Sequence, residues 1–467
     1  MSERAWIFVG YSLIVFVIGW VALKRTRSDS DYWIAGGNLG WFTGGATMAA
    51  THTSAGTFVG TIGIMYTVGW SFGWVLLAIP LSYWFMVAVL APRFTSRREL
   101  TVPAFIERRY GSRKLRGLAA TIILIATVVY VQAQIVAGGV IANVVFGVPP
   151  MTGMLAFTAI LLAYTIVGGM LAVVYTDSFQ LVVMVLGALV AVPLVLQHTD
   201  GVSGLLALAE SAHPLVFSWE SMPAVALFSM GLSFFLGGIA TPEKLVRLYA
   251  MRDMRTIRRG ILFAVTMILT LNLVVFVLAL GAIALFPALP SGDLAMPVLA
   301  MNVLPMALGS ILLAAITAAM MSTVDSLLIV AGSALSVDIY RNLLRRREVS
   351  EARGLAVARL GILTVGTVPV ALLLFGVGEG ELVQYIVLLF TALMGAAFAL
   401  PVVGGALWRG ATAPGAAAAM VGGVAATFAW KITGRSDVEP VVAGFLTSAA
   451  LFVGVSLFTR TRALPDG

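Results

Sequence analysis

Four oxygen-bearing side chains lie within five positions of one apolar stretch: Ser322, Thr323, Asp325 and Ser326 in ILLAAITAAMMSTVDSLLIVAGSALSVDIYR. At about 100° per residue on a helix they share a sector of about 160°. One face thus offers three hydroxyls and a carboxylate at one depth. Hard oxygen donors without imidazole or thiolate suit a hard cation. A transition-metal centre would want His or Cys clusters. The chain has only His52, His198 and His213, and no cysteine, so thiol chemistry and disulfides are excluded too. The competing reading of Ser322 and Thr323 is back-bonding of each hydroxyl to the carbonyl one turn earlier.

Three other ionisable groups fall inside apolar stretches: His52, Asp177 in AVVYTDSFQ, and Glu243. A carboxylate at the centre of a membrane helix costs ~3 kcal/mol, so it persists where a cation, a proton or a partner compensates it. No Lys or Arg is expected at the depth of Asp325, which leaves it no salt bridge. Asp177 reads either as a site group or as a solvated carboxylate at a helix end.

Two stretches that would position these groups are interrupted. LGWFTGGATMAATHTSAGTFVGTIGIM holds Thr51, His52, Thr53 and Ser54 between glycines. PAVALFSMGLSFFLGGIATPEKLVRLY holds Gly237, Gly238, Thr241 and Pro242. Pro242 lacks an N–H and clashes with the preceding turn. Broken backbone at bilayer depth is tolerable where it lines a cavity or binds something, and paired interruptions mark transporter sites. The competing reading is a pair of glycine-lined packing faces.

The composition supplies the setting. The 467 residues are 60% hydrophobic and 11% charged, with a mean hydropathy of +1.01. That is too little polar surface for a water-soluble domain of this size, and it excludes cytosolic enzymes, nucleic-acid binders and disordered scaffolds. The pattern predicts an all-α membrane protein of about thirteen transmembrane helices, near 5–23, 40–68, 71–92, 117–146, 150–168, 171–196, 223–245, 260–286, 305–338, 355–377, 382–407, 414–432 and 440–459. With the N-terminus outside, the inward loops carry all of the 29 Lys and Arg except Arg4, Lys431 and Arg435. This positive-inside segregation places the C-terminus in the cytoplasm, in a multi-pass protein of the cell membrane. The net charge of +8 then reads as topology and attraction to lipid headgroups. The run Arg97 to Arg116 is an anchor or a lipid site. A short surface helix is expected at Ser203–Ser211 in the longest outward loop. The interrupted spans are the second and the seventh. They cross in opposite directions, as an inverted repeat of five plus five helices requires, with halves near 40–196 and 223–407 inside a single domain, 1–467.

AAMMSTVDSLLIVAGSALSVDIYR resembles the signature of the sodium/solute symporters, which transport proline, pantothenate, sugars, sialic acid or monocarboxylates. DYWIAGGNLGWFTGGATMAATHTSAGTFVG, ELTVPAFIERRYGSRKLR, GGMLAVVYTDSFQ and ALWRGATAPGAAAAMVGG are similar to further family motifs, in family order. The resemblance implies a LeuT-like fold and a sodium ion held by the carbonyls of Ala50, Thr53 and Ala319 and the hydroxyls of Ser322 and Thr323. In some members it implies a second sodium, here at Asp177, Ser322, Asp325 and Ser326. Asp325 stands where some members have Ser. TPEKLVR departs from a Gln-Pro-His-x-x-x-Arg pattern at Thr241 and Glu243.

The expected function is therefore sodium-coupled import of a small organic solute by alternating access, without enzymatic chemistry, nucleotide or nucleic acid. Lipids and the solute are the partners. His52, Gly56, Thr57, Gln134, Thr241 and Glu243 are the expected solute contacts. Half-helix N-termini favour a carboxylate such as an amino acid, pantothenate or a monocarboxylate. Asp177→Asn is expected to impair coupling more than folding. The alternatives are a proton-coupled transporter that titrates Asp177, Asp325 and His52, and, further off, a channel or sensor.

Overall fold

The computed structural model describes residues 3–24, 29–94, 101–344, 350–378, 380–435 and 437–460. Among these the chain is helical almost throughout, and the only β-type pairing is a bridge between Leu39 and Met251. The first half comprises α1 (Glu3–Leu23), α2 (Trp41–His52), a π-helical turn (Gly56–Gly60), α3 (Thr61–Val68), α4 (Ala78–Phe85), α5 (Val102–Tyr110), α6 (Arg113–Phe146), α7 (Pro150–His198) and α8 (Gly201–Ala212). The second comprises α9 (Ala224–Ala240), α10 (Pro242–Ala250), α11 (Met254–Leu285), α12 (Ala295–Asn302), α13 (Met306–Ser333, continued by a π-helical stretch Ala334–Leu344) and α14 (Glu351–Leu374). It closes with α15 (Val383–Ala399), α16 (Ala413–Ile432) and α17 (Pro440–Thr459). Helix α8 covers the surface helix expected at 203–211.

Ten described helical stretches are long and apolar enough to cross a membrane, against thirteen expected spans. The difference has local causes. The residues read as spans 40–68 and 71–92 share the stretch Gly56–Arg93, within which Gly69 turns in the left-handed region at φ 76°. Those read at 5–23 and 150–168 contribute shorter apolar helices, Gly10–Ala22 and Pro150–Ala163. Inside α7 the axis breaks at Gly169 (φ 66°, ψ 178°). A Cβ there would lie 2.6 Å from the Tyr32 ring, so only glycine meets both demands.

Large apolar side chains point outward in mid-helix: Phe228 is 62% exposed, Leu273 67% and Leu360 57%. Water would penalise this arrangement, whereas hydrocarbon accepts it while the helices satisfy their own backbone groups. Further polar contacts tie loops and helix ends together at each end of the bundle. At one end Arg109 donates to the carbonyls of Gly405 and Trp408, and Arg116 pairs with Asp338 at 2.6 Å and Glu107 at 2.8 Å. At the other, Tyr66 Oη donates to the Phe286 carbonyl at 2.5 Å, and Trp70 N–H to the Val216 carbonyl at 2.7 Å. Arg25, Arg27, Arg97, Arg98, Arg345, Arg346, Arg347 and Arg462, which entered the charge-segregation reading, lie outside the described residues.

The second end carries a titratable latch. Asp293, 5% exposed, accepts the Val383 N–H at 3.0 Å and so caps α15, while its other oxygen has no partner. Burial pushes its carboxyl up to about 6, because one amide does not replace the lost water. The bound pKa lies above the unfolded one, so the fold holds the proton more tightly. Stability therefore falls as pH rises from about 4 to about 6 and stays low above that, by at most ~3 kcal/mol. Asp293→Asn keeps the cap and removes the charge. Its melting temperature should exceed that of the parent at pH 7.5 and match it near pH 4.

Candidate functional site

Helix α2 stops at His52 because Thr53 turns extended (φ −74°, ψ 108°). Thr53 N–H still closes the helix on the Ala49 carbonyl at 2.9 Å. The next three N–H groups have side-chain partners: Ser54 N on Thr57 Oγ1 (3.3 Å), Ala55 N on Gln134 Oε1 (2.9 Å) and Gly56 N on Ser54 Oγ (3.0 Å). Between α9 and α10 the extended residue is Thr241 (φ −72°, ψ 127°), the conformation Pro242 imposes on its predecessor. Gly237 and Gly238, read in sequence as part of this break, remain helical. Their role is close approach: a Cβ on Gly237 would lie 2.7 Å from Thr391 Cβ, and one on Gly238 2.3 Å from Ser82 Oγ.

The first interruption faces the hydroxyl face of α13. Ser322 Oγ lies 3.0 Å from the carbonyl oxygens of both Ala50 and Ala319. Thr323 Oγ1 lies 3.1 Å from those of Thr51 and Ala319 and 3.4 Å from that of Thr53. Both side chains are fully buried. Ala50, Thr53, Ala319, Ser322 and Thr323 thus come together, with the Thr51 carbonyl, which sequence reasoning did not single out. Back-bonding to Ala319 and reaching across to α2 coexist. Separations of 3.0–3.4 Å are close to the edges of an oxygen cage around a hard cation held at about 2.3–2.6 Å.

A second polar cluster lies one turn away, and here the sequence expectations need correction. Asp177 is fully buried, not a solvated helix end. Its Oδ2 accepts from Thr47 (2.5 Å), Thr51 (3.3 Å) and Arg247 Nη2 (3.1 Å). Arg247, counted in sequence among the inner-loop charges, is 1% exposed and supplies a cation at the depth of α13. It also donates to Ser326 Oγ at 2.6 Å, Thr47 Oγ1 at 3.0 Å and the Glu243 carbonyl at 2.6 Å. The α10 segment that carries it is buried on all sides, which its basic, loop-like composition conceals. Asp325 turns the other way and accepts from Thr165 at 2.6 Å. The set expected around a second cation is therefore divided, with Asp177 and Ser326 on Arg247 and Asp325 on Thr165.

Beside the first break lies a cavity of about 20 Å³, lined in part by His52, Gly56 and Thr57. Three other expected solute contacts are not among its lining residues. Gln134 spends its carbonyl on the Ala55 N–H, and Thr241 and Glu243 are buried at the second break with Thr241 Oγ1 and Glu243 Oε2 unpartnered. The lining adds Tyr130, Asn272 and Gln384. Tyr130 stacks on Phe390 at 4.4 Å and donates to Ser54 Oγ at 3.1 Å. Asn272 Nδ2 and both polar atoms of the Gln384 amide are buried without a partner. The available signal was an amide inside an apolar span, in LTLNLVVF and ELVQYIVLLF.

Residues 32–423 match the model of the sodium:solute symporter family. The chain belongs to that family. It is similar to the high-affinity proline transporter PutP of Bacillus subtilis, at 30% identity over 97% of this chain and 98% of that protein. It is also similar to the sodium/pantothenate symporter of Escherichia coli, at 28% over 95% and 94%. Among solved structures, a Na⁺-coupled sialic acid symporter in a substrate-bound outward-open state superposes with a TM-score of 0.85, at 19% identity and 99% coverage of both chains. At that identity the match shows the fold. This symporter is therefore a multi-pass membrane transporter and not an enzyme. Its departures at Thr241 and Glu243 lie in the segment that carries the buried Arg247.

Proposed function

We propose that this symporter couples import of a small organic solute to sodium. The reading is a bundle of thirteen spans with a five-plus-five inverted repeat, N-terminus outside and C-terminus in the cytoplasm. The observation that carries it is the convergence of the Ala50, Thr53 and Ala319 carbonyls on the Ser322 and Thr323 hydroxyls. Sodium arriving from outside replaces the hydrogen bonds among these oxygens and ties the broken α2–α3 segment to α13. That ordering fixes Ser54, Gly56 and Thr57 on the solute side of the break. Solute and ion then stabilise one another equally, as linkage requires, and an inside-negative potential adds ~2.3 kcal/mol per charge per 100 mV.

The solute side supports a small carboxylate-bearing molecule such as an amino acid. No Lys, Arg, Asp or Glu is among the described lining residues, so amide and hydroxyl donors near the sodium ion would hold the carboxylate. The cavity's about 20 Å³ admits little more than a water molecule, so the solute enters with outward movement of the lining. Removing the buried donors of Gln384 by Gln384→Ala should raise the solute KM about 10–100-fold, the loss of one hydrogen bond to a charged group. Radiolabelled uptake measures it, once a thermal-shift screen against amino acids, pantothenate and monocarboxylates has found the solute. Uptake into proteoliposomes should follow a sodium gradient and not a potassium one. Uptake that follows pH and ignores sodium would favour proton coupling.

A further inference from the structure

We infer that one acyl chain of a phospholipid occupies a slot between α1, α6 and the first half of α7, and backs the helix that carries Ser322 and Thr323. Such a site requires only that the protein crosses a membrane, not that it couples to sodium. The slot is a cavity of about 750 Å³. Close-packed interiors leave few voids larger than a water molecule, so a hollow of this size calls for an occupant. It arises from the packing: α1 lies on α7 and α13, α6 lies on α7, and the slot is left between α1 and α6. Gly138, Ala142, Gly153 and Ala156 line it and put little side chain into the space.

The lining selects the occupant. It is apolar apart from Ser12, Thr152 and Thr317, with no charged side chain among the described residues. The Thr317 hydroxyl is spent on the Leu313 carbonyl at 3.0 Å. Water needs about two to four polar partners and does not find them here. The rim residues Leu13, Phe16 and Ile160 are exposed, so the mouth opens on the faces that meet lipid, while Met320 and Met321 form a buried floor. The slot starts at Phe146 and Thr152, where α6 hands over to α7, and ends at Ala163, Thr317 and the two methionines. From Thr152 to Ala163 the helix rises ~16 Å, and half of the hydrocarbon thickness is ~15 Å. The slot therefore has the length of one lipid tail reaching from the edge of the hydrocarbon to the midplane. That edge is the outer one in the topology proposed above. No Lys, Arg, Asp or Glu lies in 143–163, so the mouth has no charge with which to read a headgroup, and the site selects the tail. Met320 follows Ala319 and Met321 precedes Ser322. The end of the tail thus packs behind the turn of α13 whose other side carries the sodium-site oxygens, and supplies the dispersion contacts that the floor otherwise lacks.

Phosphatidylcholine with a photoactivatable diazirine on one tail, in proteoliposomes of the intact chain, tests this, with labelled residues mapped by mass spectrometry. A diazirine at the end of the tail should label Met320 and Met321, which are buried from the surrounding bilayer. One next to the ester should label Phe146 or Thr152. Leu273, exposed on α11, reports ordinary lipid contact. Phosphatidylglycerol with the same tail should label the floor equally. Ala156→Trp, which fills the slot, should cut floor labelling about tenfold, the effect of ~1.4 kcal/mol, and leave Leu273 labelling unchanged. Label on Leu273 without label on Met320 or Met321 in the parent would overturn the inference, whether or not Ala156→Trp folds. Floor labelling that Ala156→Trp leaves unchanged would also overturn it, and cross-links between two chains at Phe16 in place of the lipid label would overturn it in favour of a second copy.

Discussion

Ser322→Ala combined with Thr323→Ala should raise the sodium concentration for half-maximal uptake about a hundredfold, with little change in the amount of folded protein. Each hydroxyl supplies one ligand oxygen to a cage otherwise made of main chain, and a tenfold loss per oxygen corresponds to ~1.4 kcal/mol. The fold should survive, because both positions are helical and a lost net hydrogen bond costs only ~1 kcal/mol. Uptake measured against sodium, with the solute held saturating, reads the effect. An unchanged sodium requirement would place the ion elsewhere. Thr165→Val, next to Asp325, should leave the sodium requirement within about threefold, since a change of ~0.6 kcal/mol is all the distant hydroxyl is asked to account for.

Asp177→Ala should be the most damaging single change for stability. Breaking a buried ion pair from one side strands the other charge and costs ~3–5 kcal/mol. Here the stranded group is the guanidinium of Arg247, which keeps Thr47, Ser326 and the Glu243 carbonyl but loses the carboxylate it pairs with at 3.1 Å. With this partner in place, Asp177→Asn is expected to weaken the fold in addition to the impaired coupling expected from sequence. The melting temperature in detergent should fall in the order parent, Asp177→Asn, Asp177→Ala. The double change Asp177→Ala with Arg247→Met should recover part of the loss, because an apolar pair of similar volume costs less than a lone buried charge. Equal melting temperatures for the parent and Asp177→Ala would show that the pair contributes nothing.

The sequence shows the parts of the site that lie along one element and hides those assembled from several. Helical periodicity groups Ser322, Thr323 and Ser326, and α13 turns these hydroxyls toward α2, while Asp325 is set apart on Thr165. The break at Thr241 is legible from Pro242, whose effect is local. Gly237 and Gly238 are not, since a glycine for a break and a glycine for close packing look alike until the neighbour, Thr391 or Ser82, is known. In the sequence Arg247 falls just past the apolar span 223–245 and counts with Arg252 and Arg255 among the inner-loop charges. Only the tertiary fold shows Asp177, seventy positions away, at its side. The sequence offers Gln134 as a solute contact. Its partner, the Ala55 N–H freed by the first break, exists only once α6 is packed there. Asn272 and Gln384 were missed for the converse reason: each is a single polar residue in an apolar run, and nothing local says that both end at one cavity.

The central claim is that a cage of main-chain and hydroxyl oxygens between the interrupted segment and α13 holds Na⁺. The most direct test is a pair of high-resolution density maps of the protein, one in sodium and one in choline. The account predicts a spherical peak in sodium only, at about 2.3–2.6 Å from the Ala50, Thr53 and Ala319 carbonyls and the Ser322 and Thr323 hydroxyls. A map in sodium without that peak, with α2 running unbroken through Thr53 and Ser54, would contradict it.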